Sequence, residues 1–324
     1  MVEIRRIQET GKGSLIVTIP KGWARKHNIS RGSVIFVEEG RDGSLILRSK
    51  EKRNQSSVVI KFSGMKKEQI EWGIVGAYLL GFDKIILRSK GPLSLEEREK
   101  VREVIKKLVG VEIVDEGRHE IAMQCMVDMS FMRPLNLFKR VNSLTMDMVQ
   151  NSLRLLDRYD ERLSSLIIKR DNEVDRLYFL LIRILRATVD RPALADKLGL
   201  RPIDCLDYRV AAQILEKIGD AASELAGEVR SLTSRITDSK KLKRISNILR
   251  EAQMEAFLAF LEKSTDRLWN VRRLNSELKL ILNDMMEDLA DESARCILQI
   301  LEKIGELCVD LSDLVIPVKL MSEA

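Results

Sequence analysis

Histidine is nearly absent from this 324-residue chain: there are two, His27 and His119. Carboxylate-bridged di-iron enzymes in helix bundles need Glu-x-x-His pairs. The absence of histidine beyond residue 119 excludes that chemistry from the C-terminal two thirds, and the chain reads as a non-enzyme. Cysteine is sparse too. Cys125, Cys205, Cys296 and Cys308 form no Cys-x-x-Cys, which excludes a zinc ribbon or a redox pair and leaves them as small core residues in a reducing compartment. No apolar run approaches the ~18 residues that cross a bilayer; residues 177–182 are cut short by Arg183. No basic-then-apolar leader follows Met1. The expectation is a cytoplasmic protein without membrane insertion.

What is present is ordinary in bulk and uneven in placement. Hydrophobic residues make up 45% and charged residues 32%, suiting a helix-rich protein of two or three domains. The net charge is +6. Residues 1–53 hold 12 basic and 6 acidic side chains, which accounts for the whole excess and leaves 43 of each sign in the remainder. A basic first sixth is the footprint of a nucleic-acid-binding module.

The heptapeptide Gln-Ile-Leu-Glu-Lys-Ile-Gly occurs at residues 213–219 and again at 299–305, each time with an arginine four residues upstream, Arg209 and Arg295. Both copies lie in apolar-periodic stretches, 207–229 and 292–316, so the repeated unit is a helix. Glycine in a helix interior costs about 1 kcal/mol against alanine. The same costly residue at Gly219 and Gly305 therefore predicts a duplicated helical module with close helix approach at both points. In the first copy Glu216 and Asp220 project from one face, one turn apart. Glu302 and Glu306 stand in the same places in the second. Asp171 and Asp175 form another such pair on a separate helix. If the two helices pack together, four carboxylates must either gain protons or hold a cation. The alternative is a solvated acidic flank partnered by Lys217 and Arg176.

Asp207-Tyr-Arg209 followed by Leu-Glu-Lys-Ile-Gly-Asp220, together with Asp171-Asn-Glu-Val-Asp175, resembles the signature of PhoU, the phosphate-uptake regulator. The resemblance covers residues 134–324. It implies two tandem three-helix bundles, repeats of about 134–235 and 236–324, with acidic motifs that bind iron or zinc. Asp171, Asp175, Glu216 and Asp220 then become metal ligands, and their hard oxygens also suit magnesium or manganese. The second repeat departs from the pattern. Aligning residues 157–163 with 262–268 brings Asn275 and Lys279 near the two aspartate positions, and Ser293 replaces Asp207. Glu302 and Glu306 are thus a weakened second site.

Residues 3–48 read as short strands at 3–8, 15–19, 34–38 and 45–47, with a helical turn opened by Pro20. Four short strands cannot bury a core alone, so a second copy should complete the unit. The run Arg5-Arg-Ile-Gln-Glu-Thr-Gly-Lys-Gly-Ser-Leu-Ile-Val-Thr-Ile-Pro20, then Trp23-Ala-Arg-Lys-His-Asn-Ile29, resembles the AbrB/SpoVT family of swapped-hairpin dimers, which bind DNA or act as antitoxins. The resemblance implies a homodimeric β-barrel and assigns DNA contacts to Arg5, Lys12, Arg25 and Lys26. A module that only dimerises is the alternative.

Residues 49–57 read as a linker. After them strands at 58–62, 84–88, 112–115 and 120–127 alternate with helices at 66–80 and 94–108, the second marked by a Ser94–Glu97 capping box. This small α/β domain holds no catalytic triad, phosphate loop or metal spacing. The expected architecture is multidomain and mostly α, in three parts: 1–53, 54–133 and 134–324. The expected function is a DNA-binding transcriptional regulator with a metal-binding helical region tied to phosphate uptake. The alternative is an adaptor docking on a phosphate transporter component or a signalling kinase.

Overall fold

The computed structural model describes residues 4–11, 13–39, 43–49, 57–62, 67–232, 238–287 and 291–315. Lys12 and most of the linker expected over 49–57 lie outside these. The chain divides into two units, Met1–Asn54 and Gln55–Ala324.

The N-terminal unit contains two antiparallel ribbons and one short helix. β1 (Gln8–Glu9) pairs with β2 (Leu15–Ile16), α1 spans Lys21–Lys26 directly after Pro20, and β3 (Phe36–Glu39) pairs with β4 (Leu45–Arg48). Gly32 at φ 87° makes the turn between α1 and β3. The strand expected over 3–8 forms a ladder only at its end, since residues 4–7 pair with no strand among the described residues. The described residues form two separate ribbons and no closed barrel. None of the described residues of this unit is buried. Ile4, Leu15, Val34 and Leu45 are all more than 60% exposed. So much exposed apolar surface is unusual for so small a unit.

The second unit begins with the α/β domain. β5 (Ser57–Phe62), α2 (Lys67–Leu79), β6 (Lys84–Ser89), α3 (Leu95–Lys106), β7 (Val111–Glu116) and β8 (Glu120–Cys125) build a sheet of order β5-β6-β8-β7. β5 and β6 are parallel and the other pairings are antiparallel. Alternation sends Val58, Ile60, Phe62, Ile85, Leu87, Ile121 and Met123 to one face, where they pack with Ile70 and Ile74 of α2 and Val101 and Val104 of α3. Ser94 caps α3 with the full reciprocal box to Glu97, an arrangement worth about 1 kcal/mol.

Two three-helix bundles follow. The first comprises α4 (Pro134–Asp157), α5 (Glu161–Asp190) and, after the short α6 (Pro192–Leu198), α7 (Asp204–Glu228). The second comprises α8 (Ser239–Glu262), α9 (Thr265–Met286) and α10 (Glu292–Asp313). One continuous apolar core runs through both. Phe138 of α4, Tyr208 of α7 and Phe260 of α8 meet across the junction, with ring centroids 5.2–6.1 Å apart. Beside them Gln253 of α8 donates to Thr145 Oγ1 (2.8 Å) and Asn142 Oδ1 (3.1 Å) of α4, satisfying a buried polar cluster.

The α/β domain is fastened to the first bundle by Arg183. This α5 arginine is fully buried and donates to the backbone carbonyls of Tyr78 (2.6 Å) and Phe82 (3.0 Å), and to Asp83 (3.1 Å). Its guanidinium also lies over the Tyr78 ring. The Tyr78 carbonyl lies in the last turn of α2, where it also accepts from the Gly81 N–H, and the Phe82 carbonyl lies in the turn that follows the helix.

Candidate metal centre and nucleic-acid interface

The duplicated helix brings its acids where its glycine allows. A Cβ added at Gly219 of α7 would lie 3.3 Å from Thr145 of α4, 3.3 Å from Val174 of α5 and 3.7 Å from Asp171 Oδ1. Both neighbouring helices therefore come close at this point, and the carboxylates of α5 face those of α7. Oxygens of Asp175, Glu216 and Asp220 lie within 4.8 Å of one another. Asp171, one turn before Asp175, is half-buried; its Oδ1 is shielded from solvent with no hydrogen-bond partner among the described residues, while Ser223 hydrogen-bonds the carboxylate. The structure thus assembles three of the four sequence-derived residues directly and sets the fourth beside them.

Electrostatics mark the cluster as short of positive charge. Burial first, then the carboxylates of Asp220 and Asp175, push Asp171 up to about 6. Burial, then Asp220, Asp175 and Asp171, push Glu216 up to about 7. Burial raises Asp175 and Asp220 as well. The cations that act on the cluster do so from its margin: Lys217 on α7, Lys303 on α10, and Lys107 just past α3. Among the described residues no ion pair engages any of the four acids. A partnerless buried carboxylate oxygen and three converging ones form an all-oxygen donor set that fits a hard cation. Lys107 was invisible as a neighbour in the sequence, since nothing in its spacing connects the end of α3 to a helix almost seventy residues away.

The second bundle repeats the scaffold with different chemistry. A Cβ at Gly305 of α10 would fall 2.5 Å from both Asn275 Oδ1 and Leu278 Cδ2 of α9, a closer approach than at Gly219. Lys279 Nζ lies 2.8 Å from Glu306 and 3.5 Å from Glu302. The ammonium therefore fills the position between the two acids, and these hydrogen bonds raise the lysine's pKa, Glu306 first. Asn275 Oδ1 is buried without a partner, as Asp171 Oδ1 is in the first bundle.

In the N-terminal unit Arg25 and Lys26 occupy the last turn of α1, and both are exposed, as is Arg5. Trp23 of α1 and His27, which caps its C-terminus, pack ring to ring, centroids 4.9 Å apart.

Comparison with known proteins places both regions. Residues 8–55 match the model of the antidote–toxin recognition domain MazE, a bacterial antitoxin, and residues 138–229 match the PhoU domain. PhoU from Pseudomonas aeruginosa is similar in structure, with a TM-score of 0.50 and 19% identity over 58% of this chain and 95% of that one. The phosphate transport system regulatory protein PhoU from Streptococcus pneumoniae gives 0.48 and 14%, over 57% and 93%. No curated protein matches the chain at significance. The chain thus joins a module of the MazE/AbrB type to a PhoU-like helical region. No helix among the described residues is long and apolar enough to cross a membrane.

Proposed function

We propose that this chain, a MazE-type module joined to a PhoU-like double bundle, is a non-enzymatic DNA-binding regulator whose helical region holds a metal ion and links transcription to phosphate supply. The observation that carries the reading is the pairing, in one chain, of an exposed basic module with a carboxylate cluster that has no ion-pair partner among the described residues. Two copies of the module would bury its exposed apolar side chains and present Arg5, Lys12, Arg25 and Lys26 twice, for contacts mainly to phosphates. Asp171, Asp175, Glu216 and Asp220 would hold the cation. Bound there, iron, zinc, magnesium or manganese would supply the positive charge that the four acids lack. The residues' own part is to set hard oxygens on two rigid helices, with Gly219 fixing the interhelical distance.

An adaptor reading is favoured by one other feature. A groove of about 460 Å³ beside α5 and α7 is lined by Leu80, Val189 and Leu206, with Arg186, Arg191 and Arg209 around it. The three apolar residues are more than half exposed, as a site for a partner protein would be. The deciding experiment is titration of the full chain against a pool of genomic DNA fragments, before and after metal removal. Saturable, salt-sensitive binding lost in Arg25→Ala/Lys26→Ala supports the regulator; no binding in any metal state leaves the adaptor.

A further inference from the structure

The sheet of the α/β domain has a second face, turned away from α2 and α3, on which Val59, Ile86 and Ala122 form a central apolar row in register across β5, β6 and β8. Val59 is 41% exposed, Ile86 is half-buried and the small Ala122 is buried between its neighbours. On β7 the row is continued by Asp115, opposite Ala122, beside a bulge at Val114 that leaves this valine 44% exposed. The charges around this row are segregated. Lys61, Lys84 and Arg88 all stand on β5 and β6; Glu112, Asp115 and Glu120 all stand on β7 and β8. Arg88 and Glu120 already meet across the seam at 2.8 Å. One half of the face is a triple cation and the other a triple anion.

Such a surface is complementary to itself under one particular operation. A two-fold axis lying in the interface and parallel to the strands, between β6 and β8, carries the β5–β6 half of one copy over the β8–β7 half of the other. Arg88 then faces Glu120 of the partner subunit, bulky Ile86 faces small Ala122 of the partner subunit, and at the edge strands Val59 faces Asp115 of the partner subunit. An axis perpendicular to the strands would instead stack cation on cation. We infer that this face pairs with the same face of a second copy of the chain, about the strand-parallel axis. The resulting aligned face-to-face packing is the ordinary geometry of two sheets.

The area sets the strength. Four strands about 4.8 Å apart and three same-face rows give on the order of 400 Å² per copy, roughly half the ~800 Å² per partner of a stable complex. Alone the contact is weak. It gains from the pairing of the N-terminal modules proposed above, on which this inference rests: a linker of a few residues converts the second contact into an intramolecular one, at effective concentrations near millimolar. The segregated charge selects the orientation, and like-charge juxtaposition rejects the others.

Cross-linking of the full chain tests the axis. In a Cys296→Ser background, which removes the one native cysteine that is not buried, Ile86→Cys or Val59→Cys is introduced singly. With sheets ~10 Å apart, two copies of position 86 would be roughly 11 Å apart and two copies of position 59 roughly 17 Å. A rigid thiol reagent of ~11 Å reach should join the first and not the second. Adding Lys61→Glu and Arg88→Glu should slow the Ile86→Cys reaction by roughly tenfold or more, and further adding Glu112→Lys and Glu120→Lys should restore it. Equal reaction at both positions, or indifference to charge reversal, overturns the inference. Sedimentation and DNA binding of the same samples separate the readings. A dimer that binds DNA without cross-linking refutes this interface alone, a cross-linked dimer that ignores DNA refutes the regulator alone, and a monomer refutes both pairings.

Discussion

Lys279 of α9 holds Glu306 of α10 at 2.8 Å and Glu302 at 3.5 Å, where the first bundle sets Asp175 against Glu216 and Asp220. A fixed ammonium thus stands in one repeat where the other has only carboxylates. Glu302→Ala should leave the metal content of purified protein unchanged, whereas Glu216→Ala with Asp220→Ala should abolish it. Converting the second site with Asn275→Asp and Lys279→Asp should add close to one equivalent by elemental analysis. A wild type losing half its metal through Glu302→Ala would show the opposite.

Metal-stripped protein should become more stable as pH falls from 8 towards 5. Glu216 and Asp171 are raised to about 7 and about 6 when folded, above their unfolded values, so the native state binds the extra protons. Stability then rises with acidification through the folded pKa values. The groups facing them are Asp175, Asp220, Ser223, Lys217, and at the margin Lys107 and Lys303. Both acids are partly solvated, so screening reduces the size of the effect. Thermal melts of wild type and Glu216→Gln with Asp171→Asn provide the check: the variant should melt higher at pH 8 and lose most of the slope.

Arg183→Met should destabilise the chain by about 3 kcal/mol or more. It takes the Arg183 donor from the Phe82 carbonyl, leaves the Tyr78 carbonyl with the Gly81 N–H alone and leaves Asp83 without this cation, and removing one side of a buried charged network costs several kcal/mol. Arg183→Lys should recover only part, since an ammonium cannot reproduce the planar fork. Urea unfolding measures both; a loss under 1 kcal/mol in Arg183→Met would contradict the fastening role.

The two repeated glycines should respond differently to alanine. At Gly219 the new methyl makes tight contacts of 3.3 Å, and the helix gains about 1 kcal/mol of propensity, so the change should be near neutral. At Gly305 it meets Asn275 and the buried Leu278 at 2.5 Å, and overpacking of this kind costs about 1–3 kcal/mol. Chemical denaturation of the two variants should rank Gly305→Ala clearly below Gly219→Ala.

Binding of DNA by the N-terminal module should be steeply salt-dependent. Four basic residues in each of two copies make about eight phosphate contacts, so log affinity should fall against log salt with a slope of roughly −7. Arg25→Ala removes two of these and should flatten the slope by about two units while leaving the melting temperature unchanged. An identical slope in the variant would move the reading to the adaptor.

The duplication was legible because a sequence records local cost: a glycine repeated in mid-helix has one economical explanation, and the structure places both at close helix contacts. The acid pairs were legible because i, i+4 spacing fixes a helix face. What the sequence hid is long-range. Arg183 reads there as a charge that interrupts an apolar run, since its partners are backbone carbonyls about a hundred residues earlier and carbonyls leave no trace in residue identity. The opposed charges of the outer sheet face were equally hidden. They emerge only when the strand order β5-β6-β8-β7 puts Arg88 next to Glu120, thirty-two residues apart.

The Arg183 fastening bears on how such a chain can be inherited. The guanidinium is buried by the domain that supplies its acceptors, so a gene that kept the first bundle but discarded residues 57–125 would hydrate Arg183 while opening to water the α5 face on which Phe179 packs against the core of the sheet domain. The boundary between Asn54 and Gln55 separates two compact units, and exchange of the N-terminal unit there would leave the Arg183 contacts untouched. The α/β domain and the bundle must travel together. A relative that lacks the sheet should carry a polar residue where this chain has Phe179.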